Sequence, residues 1–146
     1  MQSFVNRHLI EKMNCKQIIL LSLLGYSLNA FSFDCNNLPG GIGPDAAQAS
    51  LQCAEQERVV ADRALNDRYG ALLSQLKNHP QAQSTLQSRF VSAQRAWIAF
   101  RDAECDFRTN LSGGAPQWRE VNRTQCLTEL TTARVKVLEG DLEDAQ

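Results

Sequence analysis

A chain of 146 residues is long enough for one domain and too short for two of ordinary size. Hydrophobic residues make up 43% and charged residues 21%, a globular balance rather than a disordered one. The net charge is −1 and no run of basic residues occurs, which argues against nucleic acid as a partner, since that needs clustered Lys and Arg to displace counterions.

Residues 1–32 read as a secretory signal peptide. Lys16 precedes an apolar run from Ile18 to Leu28, broken only by Ser22, Gly25, Tyr26 and Ser27, and Ala30-Phe31-Ser32 offers small residues where a signal peptidase reads. The run falls short of the roughly 20 apolar residues of a comfortable membrane span, so no span is expected after cleavage, a retained anchor being the alternative. Met13 is a candidate true start. Ser32-Phe33-Asp34 before Cys35 is not the small apolar stretch of a lipoprotein site. Cleavage after Ser32 removes Cys15 and leaves a domain over 33–146 with a net charge of −3. Its four cysteines, Cys35, Cys53, Cys105 and Cys126, read as two disulfides in a periplasmic or secreted protein.

Phe33 to Pro44 is an irregular arm containing Pro39-Gly40-Gly41 and Gly43-Pro44. Pro44 suits the first position of a helix, with Asp45 beside the positive dipole end. The helix continues to about Lys77 on the spacing of Ala61, Leu65, Tyr69, Leu72, Leu73 and Leu76, and Asn78-His79-Pro80 stops it. A second helix is expected from about Pro80 to Leu111. Its buried stripe is predicted at Leu86, Phe90, Ala93, Trp97, Phe100, Glu104, Phe107 and Leu111, which step by four and three. Ser112-Gly113-Gly114-Ala115-Pro116 breaks it. A third helix opens at Pro116, with predicted inner positions Val121, Leu127, Leu130, Ala133, Val137 and Leu138. The expected fold is therefore all-α, an antiparallel bundle of about three helices stapled by two disulfides.

Short turns make sequential helices antiparallel neighbours. Cys105 and Cys126 are equally distant from the middle of the Gly113–Pro116 turn, so they fall level and can bond, leaving Cys35 to pair with Cys53; four cysteines allow three pairings. About the first turn, Asp62 falls level with Arg101, Leu65 with Trp97, and Leu72 with Phe90. An ion pair between Asp62 and Arg101 is expected.

Catalytic chemistry finds little support. His79, the one histidine after the leader, lies in a turn without positioned partners. Bridged cysteines leave no thiolate, and neither C-x-x-C nor H-x-x-x-H spacing occurs for zinc. The carboxylates mostly adjoin arginines, as in Glu57-Arg58, Asp62-Arg63 and Arg101-Asp102, the pattern of solvated helix faces rather than of a paired acid site. No metal, cofactor or enzymatic activity is expected. Asn110-Leu111-Ser112 and Asn122-Arg123-Thr124 match the glycosylation sequon, which matters only in a host that uses it. Trp118 follows the second turn beside Arg119, and tryptophan and arginine are enriched at binding hot spots.

Several segments carry a resemblance. They are Phe33-Asp34-Cys35-Asn36, Gln52-Cys53-Ala54, Asp62 with Leu65, Asn66 and Tyr69, and Ala93-Gln94-Arg95-Ala96-Trp97-Ile98-Ala99-Phe100-Arg101-Asp102-Ala103-Glu104-Cys105. Gly113-Gly114 and Cys126-Leu127-Thr128-Glu129-Leu130-Thr131, with Arg134 and Leu138, complete the set. Together they resemble the lysozyme-inhibitor LprI-like N-terminal domain family of exported bacterial proteins, over essentially the whole chain after the leader. The resemblance implies a small helical domain in the cell envelope and, more loosely, a protein partner that is a lysozyme-type muramidase; the alternative is an envelope scaffold without inhibitory activity. The motif residues Asp62, Leu65, Asn66, Tyr69, Gln94, Trp97, Arg101, Asp102 and Glu104 also have a structural explanation, since they fall level or pack. The candidate partner-binding element is the loop from Ser112 to Trp118, with Gly113, Gly114 and Trp118, flanked by Glu104, Asp106 and Arg108.

Overall fold

Three long helices account for nearly all of the computed structural model, which describes residues 34–78 and 83–145. The leader with Cys15, and the His79-Pro80 turn, lie outside the described residues. Helix α1 runs Pro44–Asn78, α2 Gln83–Ser112 and α3 Pro116–Asp144, with no strand among the described residues. None of these helices is long and apolar enough to cross a membrane.

The boundaries follow local chemistry. Pro44 and Pro116 each open a helix, where a missing N–H costs nothing and φ is already set. Ala115 caps α3 from an extended conformation, its carbonyl accepting from the N–H groups of Trp118 and Arg119. Gly113 and Gly114 adopt φ of +64° and +93°, a left-handed path that side-chain-bearing residues resist, so they turn the chain sharply between α2 and α3.

The cross-bundle contacts fix the layers. Cys105 bonds Cys126 and Arg134 reaches Gln94, so α2 and α3 are antiparallel. Asp62 meets Arg101, and Tyr69 stacks on Phe90 with ring centroids 5.2 Å apart, so α1 and α2 are antiparallel too. Helices α1 and α3 run parallel, tied by Thr124 to Glu55 at one level and Arg68 to Glu139 at another. This parallel α1–α3 pair is the most extensive interface, and α2 lies on it more sparsely. Sequence neighbours are therefore antiparallel as expected, but the tightest packing joins the first and last helices.

Leu65, Leu72, Leu76 and Leu138 form the leucine core, with Tyr69, Phe90, Trp97 and Val135 packed against it. Nearer the other end the interior is small: Ala46, Ala47, Ala49, Ala54 and Val121 sit beside the two disulfides. Cys35 pairs with Cys53 and Cys105 with Cys126, with Cα atoms 5.7 and 5.6 Å apart. Each bridge contributes about 2–4 kcal/mol by restricting the unfolded chain, on a net stability of about 5–15 kcal/mol for such a domain.

Two predicted faces need correction. The buried seam of α2 runs through Gln94, Arg101, Cys105 and Thr109, sharing only Phe90 and Trp97 with the expected stripe. Ala93 is exposed, as are Leu86 (42%), Phe100 (55%), Phe107 (60%) and Leu111 (74%), and Glu104 is half-buried. The helix is turned by one residue, about 100°, from the orientation its apolar periodicity suggests. The disulfide and the Arg101 ion pair, rather than the phenylalanines, set that rotation. On α3, Val121 and Leu138 are buried and Leu127 and Leu130 half-buried, but Ala133 and Val137 face outward. Thr124 and Thr131 take the inner places because they hydrogen-bond to Glu55 and Arg101.

Candidate functional site

The motif residues converge on a polar network through all three helices. From Arg101, Nη1 lies 3.6 Å from Asp62 Oδ1 and donates to Thr131 Oγ1 at 3.2 Å, while Nε donates to Asp102 Oδ1 at 2.9 Å. Arg58 donates to Asp62 Oδ2 at 2.7 Å and to Glu55 Oε2 at 2.9 Å, and Thr124 donates to Glu55 Oε1 at 3.3 Å. The hydrogen bond Arg58 donates to Glu55, followed by the charges of Glu55 and Asp62, raises the Arg58 pKa above its ordinary value. Trp97 lies against both guanidinium groups of the seam, with Arg101 5.3 Å and Arg134 5.9 Å from its ring centroid. Gln94 accepts from Arg134 at 3.1 Å.

Each carboxylate of this network is matched by an arginine, and the side chain of Arg101 is only 16% exposed. Such an arrangement orients the three helices against one another. Leu65 is buried in the leucine core, and Asn66 and Tyr69 line a small groove between α1 and α2 with Gln94 and Ile98. Glu104 accepts from Arg108 at 2.8 Å on the outer side of the α2–α3 turn. The structure thus gathers Asp62, Trp97, Arg101, Asp102 and Gln94 into one cluster and leaves Glu104 apart from it.

The end of the bundle beside that turn has a different character. Trp118 is half-buried, and its indole Nε1–H donates to the Ile42 carbonyl at 2.9 Å, so the N-terminal arm is pinned across the start of α3. Trp118 therefore holds a loop in place rather than standing free. The loop it holds is Gly40-Gly41-Ile42-Gly43, in which Gly41 takes φ +103° and the Ile42 side chain projects 87% exposed. The Cys35–Cys53 bridge anchors the arm on its other side. Leu38 is 39% exposed, and Gly113-Gly114 lies at the same end of the molecule.

Arg123 donates to Asp106 at 2.6 Å, and this hydrogen bond raises the Arg123 pKa. Arg108 lies 3.8 Å from Glu129 as well as bonding Glu104. These pairs brace α2 against α3 directly behind the turn. Of the residues singled out from sequence, Gly113, Gly114 and Trp118 fall at this end, and Trp118 acts through Ile42. Ile42 itself has a signal in the sequence, an isolated large apolar residue between glycines, but no periodicity marks it.

Comparison with known proteins places this arrangement in a family. An uncharacterised protein of Rhizobium meliloti, R02472, is 28% identical over 116 residues, covering 70% of this chain and 82% of its own. The crystal structure of a DUF1311-family protein of Pseudomonas putida shares the fold, with a TM-score of 0.57 and 24% identity over 64% of this chain and 90% of that one. The family model described as lysozyme inhibitor LprI matches residues 43–138, which hold the first two helices, most of the third and the motif cluster. The chain belongs to the LprI family.

Proposed function

We propose that this protein is an exported inhibitor of a lysozyme-type muramidase, acting by binding and not by catalysis. Membership of the LprI family over residues 43–138 is the observation that carries the reading. Export rests on the leader-like residues 1–32 and on two disulfides, which persist in an oxidising space such as the periplasm or the exterior.

The contact element is the end of the bundle built from Gly40–Gly43, Gly113-Gly114 and Trp118. A muramidase carries its two carboxylates in an open cleft, and an inhibitor must fill it with a firmly held projection. Ile42 is such a projection: its side chain is exposed while its backbone is fixed by Trp118 and a disulfide-anchored arm. The net charge of −3 after the leader favours approach to a cationic enzyme.

The test is peptidoglycan turnover by a panel of muramidases with the oxidised protein in molar excess. The expected result is a stoichiometric loss of rate for at least one of them. Full activity of every enzyme in excess protein overturns the reading and favours an envelope scaffold.

A further inference from the structure

Helix α2 wears its apolar face outward. Ala93, Ala96, Phe100, Ala103, Phe107 and Leu111 advance by three and four, share one face, and are all exposed. The opposite face, turned into the bundle, holds Gln94, Arg101, Cys105 and Thr109. No charged residue interrupts the outer stripe over about 27 Å of helix. With Phe100 55%, Phe107 60% and Leu111 74% exposed, the stripe presents on the order of 500 Å² of apolar surface, near the upper end for a monomer.

We propose that this stripe is a homodimer interface in which α2 packs antiparallel against α2 of a second copy, about a two-fold axis passing between residues 103 and 104. An antiparallel pair so centred sets Phe100 opposite Phe107 of the partner copy, and Ala96 opposite its Leu111. Leu111 then meets the gap left by Ala96, the two phenylalanines meet ring to ring, and Ala103 lets the two backbones approach where the helices cross. A two-fold interface must be self-complementary, and these reciprocal pairs meet the requirement within one helix.

Area and charge fit the same occupant. A standard interface buries about 800 Å² per partner, of which about 60% is apolar, so the stripe supplies the apolar share and the rims supply the rest. On the rims, Glu104 is already paired with Arg108, and Asp106 with Arg123. Association therefore strands no acidic side chain there.

The experiment is sedimentation equilibrium of the oxidised protein expressed from its full sequence. The expected species has twice the protomer mass. Phe100→Glu and Phe107→Lys should each weaken association roughly 30-fold or more, with the helical circular dichroism unchanged because both positions are exposed. The combined variant Phe100→Glu with Phe107→Lys should dimerise again, because each glutamate then faces a lysine across the axis. Val60→Glu, on an exposed part of α1, should leave the dimer intact. A wild-type protein that stays monomeric to roughly 500 µM overturns the proposal, and binding of that monomer to phosphatidylcholine vesicles would assign the stripe to lipid instead. Failure of the combined variant to reassociate overturns the antiparallel pairing.

Discussion

Arg101 and Asp62 meet at 3.6 Å across the α1–α2 interface, in a seam where a small bundle ordinarily places leucines. Each also has a further partner: Arg101 donates to Thr131 on α3, and Asp62 accepts from Arg58 on its own helix. Removing Arg101 leaves Asp62 with Arg58 alone and cuts the link from α2 to both neighbouring helices. Arg101→Ala should therefore cost about 1.5–3 kcal/mol, the range for lost hydrogen bonds to charged groups, because Asp62 keeps Arg58 and some solvent. Replacing both, Arg101→Met with Asp62→Leu, should cost clearly less than the two single changes added together. Urea denaturation of the four proteins measures this; additive losses would show that the pair is not coupled.

The outward turn of Val137 separates two adjacent apolar residues. Leu138 is completely buried in the leucine core, whereas Val137 is 50% exposed. Leu138→Ala should lower stability by about 2–5 kcal/mol through lost burial and the cavity left behind. Val137→Ala should stay within about 0.5 kcal/mol. Thermal or urea unfolding distinguishes them, and equal losses would contradict the described rotation of α3.

The two bridges should separate stability from activity. Cys105–Cys126 joins two helices, so replacing both cysteines by alanine should cost about 2–4 kcal/mol, read as a fall in the unfolding midpoint. Cys35–Cys53 holds an arm to α1. Its loss should free the Ile42 loop and reduce muramidase inhibition while the helical circular dichroism at ambient temperature is retained. Unchanged inhibition by the Cys35→Ala, Cys53→Ala protein would remove the arm from the contact surface.

Ile42 and Trp118 give the corresponding side-chain test. Ile42→Asp touches no core residue and should weaken inhibition roughly 30-fold, the size of a hot-spot loss. Trp118→Phe keeps an aromatic ring, though a smaller one, but removes the donor to the Ile42 carbonyl, costing about 0.5–1.5 kcal/mol for the hydrogen bond and loosening the loop. Inhibition constants for the two variants check both statements. Full potency in Ile42→Asp, given an active wild type, would discard the loop while leaving the inhibitor reading in place.

Much of this architecture was legible in the amino-acid order. Prolines at 44 and 116 and the Gly113-Gly114 pair marked where helices begin and turn, and equal distances from that turn placed Cys105 opposite Cys126. The same reasoning set Asp62 level with Arg101. The rotation of α2 escaped because periodicity finds an apolar stripe without saying what covers it. The inner threonines of α3 escaped for a related reason: Thr124 and Thr131 are buried only because Glu55 and Arg101 come within hydrogen-bonding reach. Ile42 lies in a segment with no period at all, so its projection becomes visible only when Trp118 is seen to hold its carbonyl.

Both sulfur bridges fall in the half of the molecule nearest the α2–α3 turn, while Leu72, Leu76 and Leu138 seal the far half without covalent help. Resistance to opening is thus graded along the long axis. Amide protons near Leu76 and Leu142 should escape first in deuterium exchange, and those beside Cys53 and Cys126 last. Loss of the sulfur bonds would flatten this gradient, so a reducing milieu changes not merely how firmly the helices hold but which end lets go.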